Sequence, residues 1–126
     1  MIYNLVDTNI LVDSFRDVVV ARDFLNSLGA INISFVTLLE LLKGSRNKRE
    51  LADLVTRLTP LEIIYITQYT QELALDIYKK HKLLNGMEIL DAVIAATAVE
   101  NELTLFTRNT KHYKSIKDLK VINPFL

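Results

Sequence analysis

Apolar residues recur along this chain in two alternating rhythms. Short continuous apolar runs at 2–6, 31–35, 61–66, 103–106 and 120–122 predict strands. Between them, segments with helical spacing predict helices at 10–15, 18–28, 37–43, 47–58, 68–84 and 88–100, with a short one at 109–116. On 18–28, Val20, Phe24 and Leu28 share a face, Gly29 closes the helix and Asp17 is a candidate cap. On 68–84, Leu73, Ile77 and Tyr78 turn inward, and Asn85-Gly86 makes the turn that follows. The first run, with Ile2, Tyr3, Leu5 and Val6, is too continuous for a half-solvated strand and reads as one buried on both faces. Strands alternating with helices predict an α/β fold, a parallel sheet of about four or five strands covered on both sides. No repeat, low-complexity stretch or linker interrupts residues 1–126, which read as a single domain.

Composition narrows the function classes. The net charge is zero, so any nucleic-acid contact must come from local patches. There are no cysteines, which excludes a disulfide framework and thiolate metal sites. No apolar run reaches membrane-spanning length and no charged-then-apolar leader opens the chain, so the expectation is a cytoplasmic protein with no membrane partner.

Three carboxylates stand out. Asp7 falls where the first strand stops, the edge at which open α/β sheets gather ligands. Glu40 lies within Phe35-Val36-Thr37-Leu38-Leu39-Glu40-Leu41-Leu42, and Asp91 opens the apolar helix Ile89-Leu90-Asp91-Ala92-Val93-Ile94. Each has an ordinary reading: a helix cap for Asp7, a solvated helix position for Glu40, a first-turn acid for Asp91. Together, acids in apolar surroundings call for a partner, and a divalent cation such as Mg²⁺ or Mn²⁺ is the partner that hard oxygen ligands hold.

The ordered set Asp7-Thr8-Asn9, Glu40 followed by Gly44, Asp91-Ala92-Val93-Ile94-Ala95-Ala96 and Thr107-Arg108-Asn109 resembles a PIN domain, and more narrowly the VapC-type toxins of prokaryotic toxin–antitoxin pairs. The resemblance implies a three-layer α/β/α sandwich and a metal-dependent endoribonuclease. It also implies a homodimer and a cognate antitoxin. By position it makes Asp7, Glu40 and Asp91 the catalytic, metal-binding acids, with Thr8, Asn9 and Thr107 as site support. One region departs from the pattern. Where a fourth acid is common, this chain has Asn109 and His112; Asn109 is a candidate ligand or the cap of the short helix, and His112 a candidate RNA contact. Glu88, one turn before Asp91, is a further acid on the same side.

Clustered carboxylates around such an ion would activate water for in-line attack on a phosphodiester. Arg108 and Lys111 beside the site, and Lys43, Arg46, Lys48, Arg49 and Lys114 farther out, are the candidate cations for RNA. Apolar patches for protein partners are expected on Leu38, Leu41, Leu42 and the 47–58 helix. Two other readings compete: a PIN scaffold that binds without cutting, and a receiver-like signalling domain. The second would carry a lysine where the fourth strand instead ends in Thr107-Arg108.

Overall fold

The computed structural model describes residues 3–126, so Met1 and Ile2 at the start of the first predicted strand lie outside the described residues. The elements run β1 (Asn4–Val6), α1 (Thr8–Phe15), α2 (Val19–Ser27), β2 (Asn32–Ser34), α3 (Phe35–Lys43), α4 (Lys48–Leu58), β3 (Glu62–Ile64), α5 (Gln68–Asn85), α6 (Ile89–Glu100), β4 (Thr104–Phe106) and β5 (Val121–Ile122). A single 3₁₀ turn, Thr110–His112, takes the place of the helix expected at 109–116.

All strand pairs are parallel, in two small sheets ordered β1-β4-β5 and β2-β3. The seam between them is a side chain. Asn4 is buried, donates from Nδ2 to Ala30 O at 2.8 Å and accepts Asn32 N–H on Oδ1 at 3.0 Å. Asn32 Nδ2 returns a bond to Asn4 O at 2.9 Å. One polar residue in an otherwise apolar strand thus holds β2 beside β1.

Alternation along the central strands separates the two faces. Leu5 and Leu105 join the core under α5 and α6, where Ala92, Ala95 and Ala96 let α6 approach closely. Val6 and Phe106 face the other core, with Ile10, Leu11, Leu25, Ile33 and Leu41 of the earlier elements. Each fully buried leucine of this kind contributes about 1.5–3 kcal/mol.

Some expectations change. Tyr3 is half exposed, so both-face burial begins at Asn4. On α2 the buried residues are Ala21 and Leu25, and Val20 faces solvent, because the small Ala21 rather than the larger valine meets α1. Asp17 does not cap α2; it takes a left-handed backbone (φ 61) and the N-cap is Val18. Leu41 is buried and Leu38 and Leu42 pack half-buried against the core, while Leu39, Leu51 and Val55 are the exposed apolar residues of α3 and α4. Gly86 ends α5 in the left-handed conformation, which glycine adopts without a Cβ penalty. No helix among the described residues is long and apolar enough to cross a membrane.

Candidate active site

Asp7 leaves β1 at its carboxyl end, 6% exposed, with its N–H bonded to Phe106 O at 2.9 Å. Its two oxygens do different work. Oδ1 accepts Thr8 N–H at 2.8 Å and so caps α1. Oδ2 accepts the hydroxyl of Thr107, the residue following β4, at 2.8 Å. The cap reading of Asp7 therefore holds through Oδ1, while Oδ2 faces Thr107. Thr107 in turn accepts from Asn9 Nδ2 and from Asn109 N–H, each at 3.1 Å, and Asn9 Oδ1 accepts Arg108 N–H at 3.2 Å.

Glu40 is placed by α3, which starts directly from β2 because Ser34 caps it through Thr37 N–H at 3.0 Å. Glu40 Oε1 accepts the Thr8 hydroxyl at 2.7 Å, and Thr8 Oγ1 lies 3.0 Å from Thr37 Oγ1. A hydroxyl has one hydrogen and a carboxylate can only accept, so Thr8 gives its hydrogen to Glu40 rather than to Thr37.

Asp91 sits in the first turn of α6. Its Oδ2 accepts Glu88 N–H at 3.2 Å and His112 Nδ1 at 2.9 Å, and its Oδ1 accepts the Tyr113 hydroxyl at 3.0 Å. That hydroxyl is also 3.3 Å from Asp7 Oδ2. The Asn109 side-chain amide also stands against this ring, its Nδ2 2.8 Å from His112 Nδ1. Asn109 occupies the N-cap position of the 3₁₀ turn, but its side chain serves His112 and makes no cap bond. Glu88 is exposed and reaches Asp91 through its backbone.

Burial raises the Asp7 pKa above 3.8; hydrogen bonds from Thr107 and Thr8 oppose this, and the charges of Asp91 and Glu40 push it further up. The Tyr113 hydroxyl is likewise pushed up, by burial first and then by the Asp7 and Asp91 carboxylates, so it stays a protonated donor.

The acids share one edge, yet among the described residues no three Asp, Glu or His side chains stand close enough to hold one ion together. The expectation that Asp7, Glu40 and Asp91 reach a common ion is corrected to that extent. The physical reason is that every acid already has donors: Glu40 turns to Thr8, and Asp7 and Asp91 meet on Tyr113. Tyr113 was missed in the sequence, where its only signal is a hydroxyl on an aromatic ring next to His112.

Two clefts of about 430 and 480 Å³ flank Glu40. Thr8, Val36, Leu39, Lys43 and Leu90 line the first with it, and Arg16, Arg46 and Arg57 stand along the second. Arg46 is paired with Glu50 at 2.7 Å. Arg108 is engaged too: its Nε lies 2.6 Å from Asp13 and its guanidinium covers the Phe125 ring at 4.1 Å. Lys111 is exposed beside it.

The family model for the PIN domain matches residues 5–118. The chain is 34% identical over 120 residues to ribonuclease VapC1 of Methanocaldococcus jannaschii, covering 90% of this chain and 81% of that protein. It is 32% identical to ribonuclease VapC10 of Mycobacterium tuberculosis, with 92% and 90% covered. Among solved structures, it superposes with TM-score 0.83 on a chain of a toxin–antitoxin complex from Klebsiella pneumoniae, at 31% identity and with 96% and 97% covered. VapBC2 from Rickettsia felis, bound to a DNA fragment from its promoter, matches with TM-score 0.76, 30% identity and 98% of each chain covered.

Proposed function

The chain belongs to the PIN domain family, and we propose that it is an endoribonuclease, the toxin of a toxin–antitoxin pair, that hydrolyses RNA phosphodiesters with Mg²⁺ or Mn²⁺. Relatives named as ribonucleases over nine-tenths of this chain support RNA as the substrate. The toxin–antitoxin complexes support a small protein partner, and a homodimer is part of the same reading.

The observation that carries the proposal is Asp7: a carboxylate 6% exposed, at the carboxyl edge of the sheet, with two more acids close enough to disfavour its charge. Such a charge is a cost in a fold built for stability alone. A cation at this edge would offset it, and would leave positive charge for a substrate phosphate. The donor set suits the group, being all oxygen. Mg²⁺ is commonly held by one or two carboxylates, with waters and substrate oxygens completing its shell. Asp7 and Asp91 supply that pair, and Glu40 lies behind Thr8. When bound, the cation supplies Lewis-acid charge at the phosphate and makes water a better nucleophile.

The chain's own residues supply the rest. Thr107 and the Thr8 N–H fix both oxygens of Asp7. Thr8 orients Glu40, and Asn9 links Thr107 to the Arg108 backbone. His112 and the Glu88 N–H steady Asp91. Lys43 and Lys111, both exposed, are the cations available to RNA phosphates, since Arg108 and Arg46 already hold acids. Asn109 enters this reading as a holder of His112.

The test is cleavage of single-stranded RNA by purified protein with Mg²⁺, Mn²⁺ or a chelator, repeated with Asp7→Asn. Cleavage that needs the cation and disappears with Asp7→Asn is the expected result. RNA binding without cleavage under all conditions would establish a binding scaffold instead.

A further inference from the structure

The stretch 107–113 is where the acid pattern breaks, and Tyr113 closes it. Its ring is fully buried in the core under α5 and α6, and its hydroxyl emerges at the acid edge, 3.0 Å from Asp91 Oδ1 and 3.3 Å from Asp7 Oδ2. A phenol has one hydrogen to give. Asp7 Oδ2 already accepts from Thr107, and the Asp91 contact is the shorter, so the hydrogen goes to Asp91 and the phenol oxygen faces Asp7.

Asp91 is then satisfied on both oxygens, by Tyr113 on Oδ1 and by His112 and the Glu88 N–H on Oδ2. The Tyr113 hydroxyl stands between Asp91 Oδ1 and Asp7 Oδ2, in contact with both, so a cation that is to bridge those two oxygens must take its place. We propose that Tyr113 is a positioning residue that orients Asp91 beside Asp7 and competes with a divalent cation for the place between their oxygens. This rests on reading Asp7 and Asp91 as the cation-binding pair. It sets a threshold that the cation must exceed. An apolar ring at this position would fill the core equally well and impose no threshold.

Tyr113→Phe keeps the ring and removes the hydroxyl. A hydrogen bond to a charged group is strong enough that its removal should tighten Mn²⁺ binding on the order of tenfold. Calorimetry on the metal-free full chain, without RNA, reads this directly. The melting temperature in chelator should fall at the same time, because Asp91 loses a donor. A tyrosine that merely fills the core would give the lower melting temperature with an unchanged Mn²⁺ affinity, and that result, or weaker binding, overturns the proposal. Failure of both proteins to bind Mn²⁺ overturns it together with the cation-pair reading. RNA cleavage that persists with equal affinities would overturn the role of Tyr113 alone. Should the variant not fold, ¹³Cζ-tyrosine NMR of the native chain decides: the Tyr113 resonance must move along the Mg²⁺ binding curve, and a resonance that stays fixed overturns the proposal.

Discussion

Thr8 and Glu40, 32 positions apart in sequence, are joined by a hydrogen bond of 2.7 Å from hydroxyl to carboxylate. Thr8 is the first residue of the helix that Asp7 caps, and Glu40 lies on the helix that leaves β2. The two acids are thus linked through one residue, Asp7 by the Thr8 backbone and Glu40 by its side chain.

Replacing Thr8 by Val keeps the β-branched shape and the N–H that Asp7 accepts, and frees Glu40. A hydrogen bond to a charged group contributes about 1.5–3 kcal/mol. Cleavage should fall about tenfold or more, with the helix content of the protein intact by circular dichroism. Unchanged cleavage would show that Glu40 needs no orientation.

Asp7 makes stability depend on pH with a definite sign. Its folded pKa is raised above 3.8, first by burial, so the folded state holds its proton more tightly than the unfolded chain does. The stabilisation from that proton is fully present below about pH 4 and is lost as pH rises through the raised value. Melting temperatures in chelator, taken across this range, should decline less steeply for Asp7→Asn than for the parent protein. The difference between the curves reports the Asp7 carboxyl together with the charges coupled to it. Parallel curves would contradict the burial argument.

Repulsion among like charges suggests that Asp91→Asn should stabilise the metal-free protein. The contacts argue the opposite. Asp91 accepts from Tyr113, His112 and the Glu88 N–H, and an amide nitrogen cannot accept. We expect cleavage to be abolished and stability to drop by about 1–3 kcal/mol in urea unfolding. A more stable variant would mean that the repulsion outweighs the lost bonds.

Asn4→Leu tests the seam. The substitution suits a buried strand by hydrophobicity, but it strips Ala30 O and Asn32 N–H of their partners. Both bonds are part-buried and Ala30 is exposed, so each group loses a hydrogen bond of about 0.5–1.5 kcal/mol and not the full penalty of a buried orphan. The variant should be destabilised by roughly 1–3 kcal/mol on that basis, with faster amide exchange concentrated in β2. Exchange that rises evenly across the chain would point to a general core defect.

Much of the layered order was legible because strands buried on both faces leave unmistakable apolar runs, and because Asp7, Glu40 and Asp91 interrupt such runs. What the sequence hid was of two kinds. Asn4 reads as a flaw in an apolar strand, since nothing local reveals that its side chain will replace a ladder between β1 and β2. Ala21 was outweighed by Val20 because hydrophobic size marks a face more strongly than fit does, although close approach to α1 selects the small residue. Tyr113 and the pairing of Arg108 with Asp13 depend on contacts across most of the chain, which periodicity does not encode.

The strand β4 enters the sheet between β1 and β5, although it is made long after β1. Thr107 meets Asp7 across 100 positions, and Tyr113 across 106. A growing polypeptide on the ribosome therefore presents Asp7 long before its neighbours Thr107 and Tyr113 exist. Until the segment through Tyr113 has emerged, Asp7 lacks its Thr107 bond and Asp91 lacks both His112 and Tyr113. A nuclease site assembled this way is incomplete until β4 and the segment through Tyr113 have been made. Premature termination before β4 yields fragments with acids but no assembled site.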